Sequence, residues 1–81
     1  MPKLKLFYKE TCPFCQKVLR VISKYDIEGI EYADILESEE AKEELINTGG
    51  SVMVPCLFID GKPMYESGDI IDWLVENKAN K

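Results

Sequence analysis

Leu4-Lys5-Leu6-Phe7-Tyr8-Lys9-Glu10-Thr11-Cys12-Pro13-Phe14-Cys15 is the stretch on which the reading of this chain turns. Its first residues alternate and then become apolar, as a largely buried strand does, and Lys9-Glu10-Thr11 breaks the pattern with polar groups. From Cys15 onward Val18, Leu19, Ile22 and Tyr25 recur at helical spacing, which predicts a helix over roughly residues 13–25. Pro13 suits the first turn of that helix, where its missing N–H has no intrahelical partner to lose. Asp26 and Gly29 close the helix, and the segment from Ile30 to Ile35 alternates as a second strand. Residues 3–35 therefore read as one β-α-β unit.

Downstream, Ser38 is the expected N-cap of a second helix, with Glu39 and Glu40 in its first turn, where negative charge suits the dipole. Ala41 and Leu45 give this helix an inner face, and Asn47-Thr48-Gly49-Gly50 ends it. Its many acids read as a solvated surface. Val52-Met53-Val54-Pro55-Cys56-Leu57-Phe58-Ile59 is a near-continuous apolar run, predicted as a strand buried on both faces. Asp60-Gly61 is a two-residue hairpin signal, so residues 62–65 should return antiparallel. A last helix from Asp69 to about Asn77 turns Ile70, Ile71, Leu74 and Val75 inward. The order β-α-β-α-β-β-α contains no linker, repeat or low-complexity tract. It predicts one α/β domain over residues 1–81.

Composition narrows the function. A chain with 46% hydrophobic and 31% charged residues is neither disordered nor fibrous. No apolar run is long enough to span a bilayer, and no basic-then-apolar leader follows Met1, so the expected setting is the cytoplasm, away from membranes. Histidine is absent, which removes Ser-His and Cys-His catalysis and the commonest metal ligand. The net charge of −5 is unevenly spread: residues 1–25 hold six bases against Glu10 alone, and the remainder holds fourteen acids. The acidic excess and the lack of a basic stripe exclude a nucleic-acid partner. The basic segment carries Cys12 and Cys15, so a thiolate there lies in a positive field; solvated lysines without a role are the plainer account of all but Lys9.

Two cysteines one helical turn apart can close into a disulfide and reopen with little backbone movement, which is the requirement of dithiol redox chemistry. Cys12, at or just before the helix start, faces unpaired N–H groups and the positive dipole end, a placement that lowers a thiol pKa from about 8.5 to roughly 3.5–7.5. Nucleophilicity falls with pKa almost as fast as the thiolate fraction grows, so the larger benefit is that such a sulfur leaves readily when a mixed disulfide is resolved. Cys15, on the apolar face, should be shielded and less acidic, as suits a resolving thiol. A structural zinc site would need four ligands, which this chain cannot supply from three cysteines and no histidine, so no metal is expected. Cysteines that merely fill core positions are the other alternative.

Pro55 interrupts an otherwise buried strand, although proline cannot donate to a sheet ladder. Either the Val54-Pro55 bond is cis at the strand entrance, turning the Val54 backbone outward toward an extended substrate, or a trans proline starts the strand late. Cys56 has no spacing partner. It reads as packing, with an accessory redox or cluster-ligating role as the alternative.

Tyr8-Lys9-x-Thr11-Cys12-Pro13-Phe14-Cys15, then Val54-Pro55-x-x-Phe58-Ile59 and Gly68-Asp69, resembles the glutaredoxin family over essentially the whole chain. The C-P-F-C form is similar to the dithiol members rather than to the C-G-F-S class associated with iron–sulfur transfer. The resemblance implies a thioredoxin fold with a four-stranded mixed sheet flanked by three helices, and a thiol-disulfide oxidoreductase acting on disulfide-containing or glutathionylated proteins. It implies Cys12 as nucleophile and Cys15 as resolving thiol, with glutathione, or an equivalent small thiol, as reductant. Lys9 would pair with the glycine carboxylate of glutathione, and the Val54 backbone beside cis-Pro55 would bond its cysteinyl backbone. Glu66-Ser67-Gly68-Asp69 departs from the usual Gly-Gly-Cys/Ser-Asp. Glu66-Ser67 is more similar to the N-terminal domain of glutathione transferases, where the acid and serine hold the γ-glutamyl end. A hydroxyl, Asp69 and fresh N–H groups at a helix start can grip such a head group, although Ser67 as a plain N-cap and Asp69 as a dipole partner account for the same residues. The chain is too short for a transferase's second domain. A monomer is expected. Three alternatives stay open: a redoxin reduced by a flavoprotein reductase or another small thiol, a dimeric iron–sulfur carrier using Cys12 and bound glutathione, and a glutathione-binding module without catalysis.

Overall fold

The computed structural model describes residues 3–79. Four strands, β1 (Leu4–Tyr8), β2 (Ile30–Asp34), β3 (Cys56–Ile59) and β4 (Lys62–Met64), form a sheet of order β2-β1-β3-β4. β1 and β2 run parallel, with Leu6 opposite Tyr32, and the connection between them is α1 (Pro13–Lys24). β3 pairs antiparallel with β1, Leu57 opposite Leu6, and returns through Asp60-Gly61 into β4, which pairs antiparallel with it. Positive φ at both turn residues, 51° at Asp60 and 85° at Gly61, is what a primed hairpin turn requires. The mixed α/β sheet is the one expected.

Period-2 alternation assigns the two faces. Leu4, Leu6 and Leu57 point to one side, where Val18 and Ile22 of α1 and Ile70 and Leu74 of α3 (Ser67–Leu74) cover them. Phe7, Cys56 and Phe58 point to the other, covered by Ala41 of α2 (Glu39–Glu44) and by Leu45. Ser38 caps α2 as predicted, its side chain accepting from Ala41 N–H at 3.2 Å. Lys5 reaches from the sheet to Glu44 at 2.6 Å and to Glu31 at 3.4 Å.

Several boundaries move. The apolar run 52–59 is not strand throughout: β3 begins at Cys56, and Val52 and Met53 are 45% and 57% exposed. Pro55 has no N–H for the ladder, and β1 offers its last partner at Phe7, opposite Cys56. α1 ends at Lys24, and Tyr25, expected inward, is exposed at the C-cap beneath the Lys24 ammonium. β2 and β4 each stop one residue short of the predicted ends, at Asp34 and Met64. α2 runs on as a π-helical turn (Leu45–Gly49). α3 starts at Ser67 rather than Asp69, and beyond Leu74 a π-helical turn (Val75–Ala79) takes in Asn77. No helix among the described residues is long and apolar enough to cross a membrane.

Candidate active site

Cys12 is the N-cap of α1, with extended backbone (φ −85°, ψ 121°) and Pro13 directly after it. Its N–H donates to the Lys9 carbonyl at 3.1 Å, and its carbonyl accepts from Gln16 N–H at 3.0 Å, so the turn and the helix together fix the residue. The sulfur faces the positive end of the helix. Burial works against ionisation of this thiol. Hydrogen bonds from the Cys15 N–H and thiol and from the Phe14 N–H, together with the Lys9 charge, outweigh that and hold it below its ordinary value. Cys15, one turn on, is wholly buried; burial pushes its thiol up to about 11, although Lys9 N–H donates to its sulfur at 3.4 Å. The two thiols lie within hydrogen-bonding reach and are both free.

The Cys12 sulfur also lies 4.0 Å from the Val54 carbonyl, which joins the N-terminus of α1 to the loop before β3. The Val54-Pro55 bond is cis, the first of the two arrangements considered for the interrupted strand. A cleft of about 210 Å³ opens there, lined by Phe14, Met53, Val54, Pro55, Tyr65, Glu66 and Ser67. Four of the predicted ligand-contact residues, Val54, Pro55, Glu66 and Ser67, thus share one cavity wall. Lys9 and Asp69 do not line it. Lys9 stands beside the two sulfurs, and Asp69 is exposed in the first turn of α3.

Glu66, not Ser67, holds the N-cap position of α3, so the plain capping role for Ser67 is not realised. Glu66 has φ 52° and ψ 107°, a backbone region unfavourable to a residue with a Cβ. Strain of this kind is retained where surrounding contacts hold it, commonly at ligand sites. Ser67 becomes the first helical residue, with Glu66 O accepting from Ile70 N–H at 3.0 Å.

Sequence reasoning missed Phe14, Met53 and Tyr65 as cleft residues. Phe14 carried a signal, as a large apolar side chain between two motif cysteines on a helix's first turn, and it is 55% exposed. Met53 falls inside the apolar run 52–59 that predicts a strand, and nothing in that run sets it apart. Tyr65 is placed by its hydroxyl, which donates to the Ser51 carbonyl at 3.3 Å. Cys56 is buried with Phe7 and Phe58 in the cluster that Val54 and Tyr65 of the cleft pack against, and burial pushes its thiol to about 11. This is packing.

A parallel β-α-β unit, an antiparallel hairpin and a C-x-x-C pair at a helix start opposite a cis-proline define a thiol-disulfide oxidoreductase on a thioredoxin fold. A sequence profile described as Glutaredoxin matches residues 4–64. Glutaredoxin 3 of Escherichia coli (strain K12) is 31% identical over 64 residues, covering 76% of this chain and 74% of that one. The chain belongs to the glutaredoxin family. Solved structures agree on the fold. A thioredoxin-like protein superposes with a TM-score of 0.77 at 22% identity over 94% of each chain. Glutathione S-transferase unclassified 2 from Bombyx mori gives 0.81 at 20% identity over 98% of this chain, which spans only 37% of the transferase.

Proposed function

We propose that Cys12 attacks a protein disulfide or a glutathione mixed disulfide and that Cys15 resolves the product, with glutathione or an equivalent small thiol as reductant. In the first step the Cys12 thiolate bonds to one substrate sulfur, and the other leaves as a thiolate that takes a proton from water. In the second, Cys15 loses its proton and bonds to Cys12, releasing the substrate reduced by two electrons. Two molecules of the small thiol then restore the dithiol and are themselves oxidised to a disulfide.

The observation that carries this reading is the opposite treatment of two adjacent thiols: Cys12 half-buried and lowered, Cys15 buried and raised to about 11. The lowered thiol is the better nucleophile source at neutral pH and the better leaving group afterwards. The cleft supports a small peptidic thiol. The Val54 backbone lies beside Cys12, and Glu66, Ser67 and the N-terminus of α3 supply acceptors and N–H donors for an amino-acid head group. Lys9 offers the cation for a carboxylate and, with Asp69 near the other end, completes the residues we assign to the ligand. The low cysteine usage suits a reducing cytoplasm. We place the protein there as a monomer acting on oxidised proteins.

Turnover with a glutathionylated peptide tests the assignment. Cys12→Ser is expected to lose all activity. Cys15→Ser should keep reduction of the glutathione mixed disulfide and lose reduction of protein disulfides. Activity surviving in Cys12→Ser sinks the proposal. Turnover with thioredoxin reductase but not with glutathione and its reductase would reassign the reductant alone.

A further inference from the structure

Cys15 presents a chemical difficulty that the cysteine motif does not solve. A thiol attacks as its thiolate, yet this one is wholly buried and lifted to about 11. The sequence contains no histidine, and no charged side chain is buried among the described residues. Neither an imidazole nor a buried carboxylate stands ready to accept the proton. The polar groups acting on the sulfur come from two residues. Cys12 raises Cys15, both through the hydrogen bond between them and through like charge; Lys9 lowers it through its backbone N–H at 3.4 Å and its positive charge.

We infer that the Lys9 main-chain N–H is the donor that stabilises the Cys15 thiolate as it forms in the resolving step. This rests on the dithiol reading above and supplies the group its second step needs. The balance of forces gives the steps an order. While Cys12 is a free thiolate, its charge keeps the proton on Cys15. Once Cys12 is bound in a mixed disulfide that repulsion is gone and the Lys9 donor remains. Cys15 then releases its proton to water and attacks the Cys12 sulfur. The Cys12–Cys15 bond forms, the bond to the partner sulfur breaks, and the partner thiolate departs with the electron pair.

The donor is pre-positioned. Lys9 follows the last residue of β1, whose Tyr8 carbonyl accepts from Ile35 N–H at 3.0 Å, while its own carbonyl accepts from Cys12 N–H at 3.1 Å. The peptide units on both sides of the Lys9 Cα are therefore tied down, and the N–H needs no reorganisation to meet the developing charge. Lys9 lies beyond the paired residues of β1, so this N–H is not drawn into the sheet register.

The test replaces the Tyr8–Lys9 amide by an ester, which deletes the N–H and keeps the Lys9 side chain. Joining a synthetic 1–14 segment to 15–81 at Cys15 gives the full chain, in a Cys56→Ala background. Stopped-flow reaction with a chromogenic aromatic disulfide separates two releases of coloured thiolate: a bimolecular one from Cys12 attack and a unimolecular one from Cys15 attack. The ester is expected to slow the second phase by roughly tenfold or more, the scale of one hydrogen bond to a charged group, and to leave the first unchanged. In a Cys12→Ser background it should raise the Cys15 pKa by about one to two units. A folded ester protein with an unaltered second phase overturns the inference, and so does equal slowing of both phases. Should the ester weaken the Tyr8 carbonyl enough to prevent folding, Lys9→Pro against Lys9→Ala makes the same comparison. Alanine keeps the N–H and proline lacks it, and a second phase equal in the two refutes the assignment. The dithiol reading is checked separately, since Cys15→Ser must abolish the second phase.

Discussion

Cys12, Cys15 and Cys56 carry the same functional group, and their surroundings push them in opposite directions. Cys12, lowered from 9.0, ionises more readily in the folded protein than in the unfolded chain. It therefore adds stability to the reduced protein that is full above about 9.0 and is lost as pH falls through its folded value. Cys15 and Cys56, raised from 9.0 to about 11, keep protons that the unfolded chain has surrendered. Stability should thus fall between those values, by about 1.4 kcal/mol per pH unit for each thiol. Urea unfolding of the reduced protein from pH 8 to 11 reads this slope, and Cys56→Ala should make it shallower by about one proton. An unchanged slope would assign the titration to other groups, of which Tyr8 and Tyr32, both raised by burial, are the first candidates. Cys12 and Cys15 were legible in sequence because spacing alone puts them on one helical turn. Met53 was not, because an apolar side chain left exposed at a cleft looks in sequence like one destined for the core; nor was half-buried Tyr65, which a bond to the Ser51 carbonyl sets in the cleft wall.

Elements here are set by their ends. The Ser38 cap of α2 is a short-range hydrogen bond, readable from one serine before a run of helix formers. Ser38→Ala should cost about 1 kcal/mol in thermal or urea unfolding, with activity unchanged. The other end of that helix was only half legible. Gly49 and Gly50 announce a stop, and Gly50, at φ 88°, is in the left-handed conformation that a C-cap glycine supplies. Gly49 is present for a different reason: a methyl group there would overlap the Tyr65 hydroxyl, sixteen residues further along the chain. No local pattern encodes such a contact. Gly49→Ala is expected to destabilise by roughly 1–3 kcal/mol, the cost of overpacking. Tyr65→Phe alone should cost about 1 kcal/mol for the lost bond to the Ser51 carbonyl, yet it should recover part of the loss when combined with Gly49→Ala. Strictly additive losses in the double-mutant cycle would show that the two groups do not meet.

At the scale of the whole molecule, the α/β class and the order of elements follow from periods of 2.0 and 3.6 that a single sequence displays. The sheet register does not, because Leu6 meets Leu57 only when segments about fifty residues apart come together. Where β3 begins depends on that pairing, and so the apolar run 52–59 extends beyond the strand, which starts only at Cys56. The same pairing makes Leu57 the residue on which both helices of the site, α1 and α3, rely. It is fully buried on a central strand, between Leu6 of β1 and Met64 of β4, in the cluster that includes Val18 of α1 and Ile70 of α3. α1 carries Cys15, and α3 carries Ser67. A domain of 81 residues has about 4–12 kcal/mol of stability in all, and a buried Leu→Ala change removes about 2–5. Leu57→Ala should therefore lower the urea midpoint severely, while Leu36→Ala, at a side chain 63% exposed, should change the unfolding free energy by less than about 0.5 kcal/mol. The cavity lies beneath the face of α1 that buries Cys15, so alkylation of Cys15 in the still-folded Leu57→Ala protein should quicken, and Cys56, on the opposite face, should stay protected. Equal quickening of both thiols would mean that the sheet does not separate two independent cores.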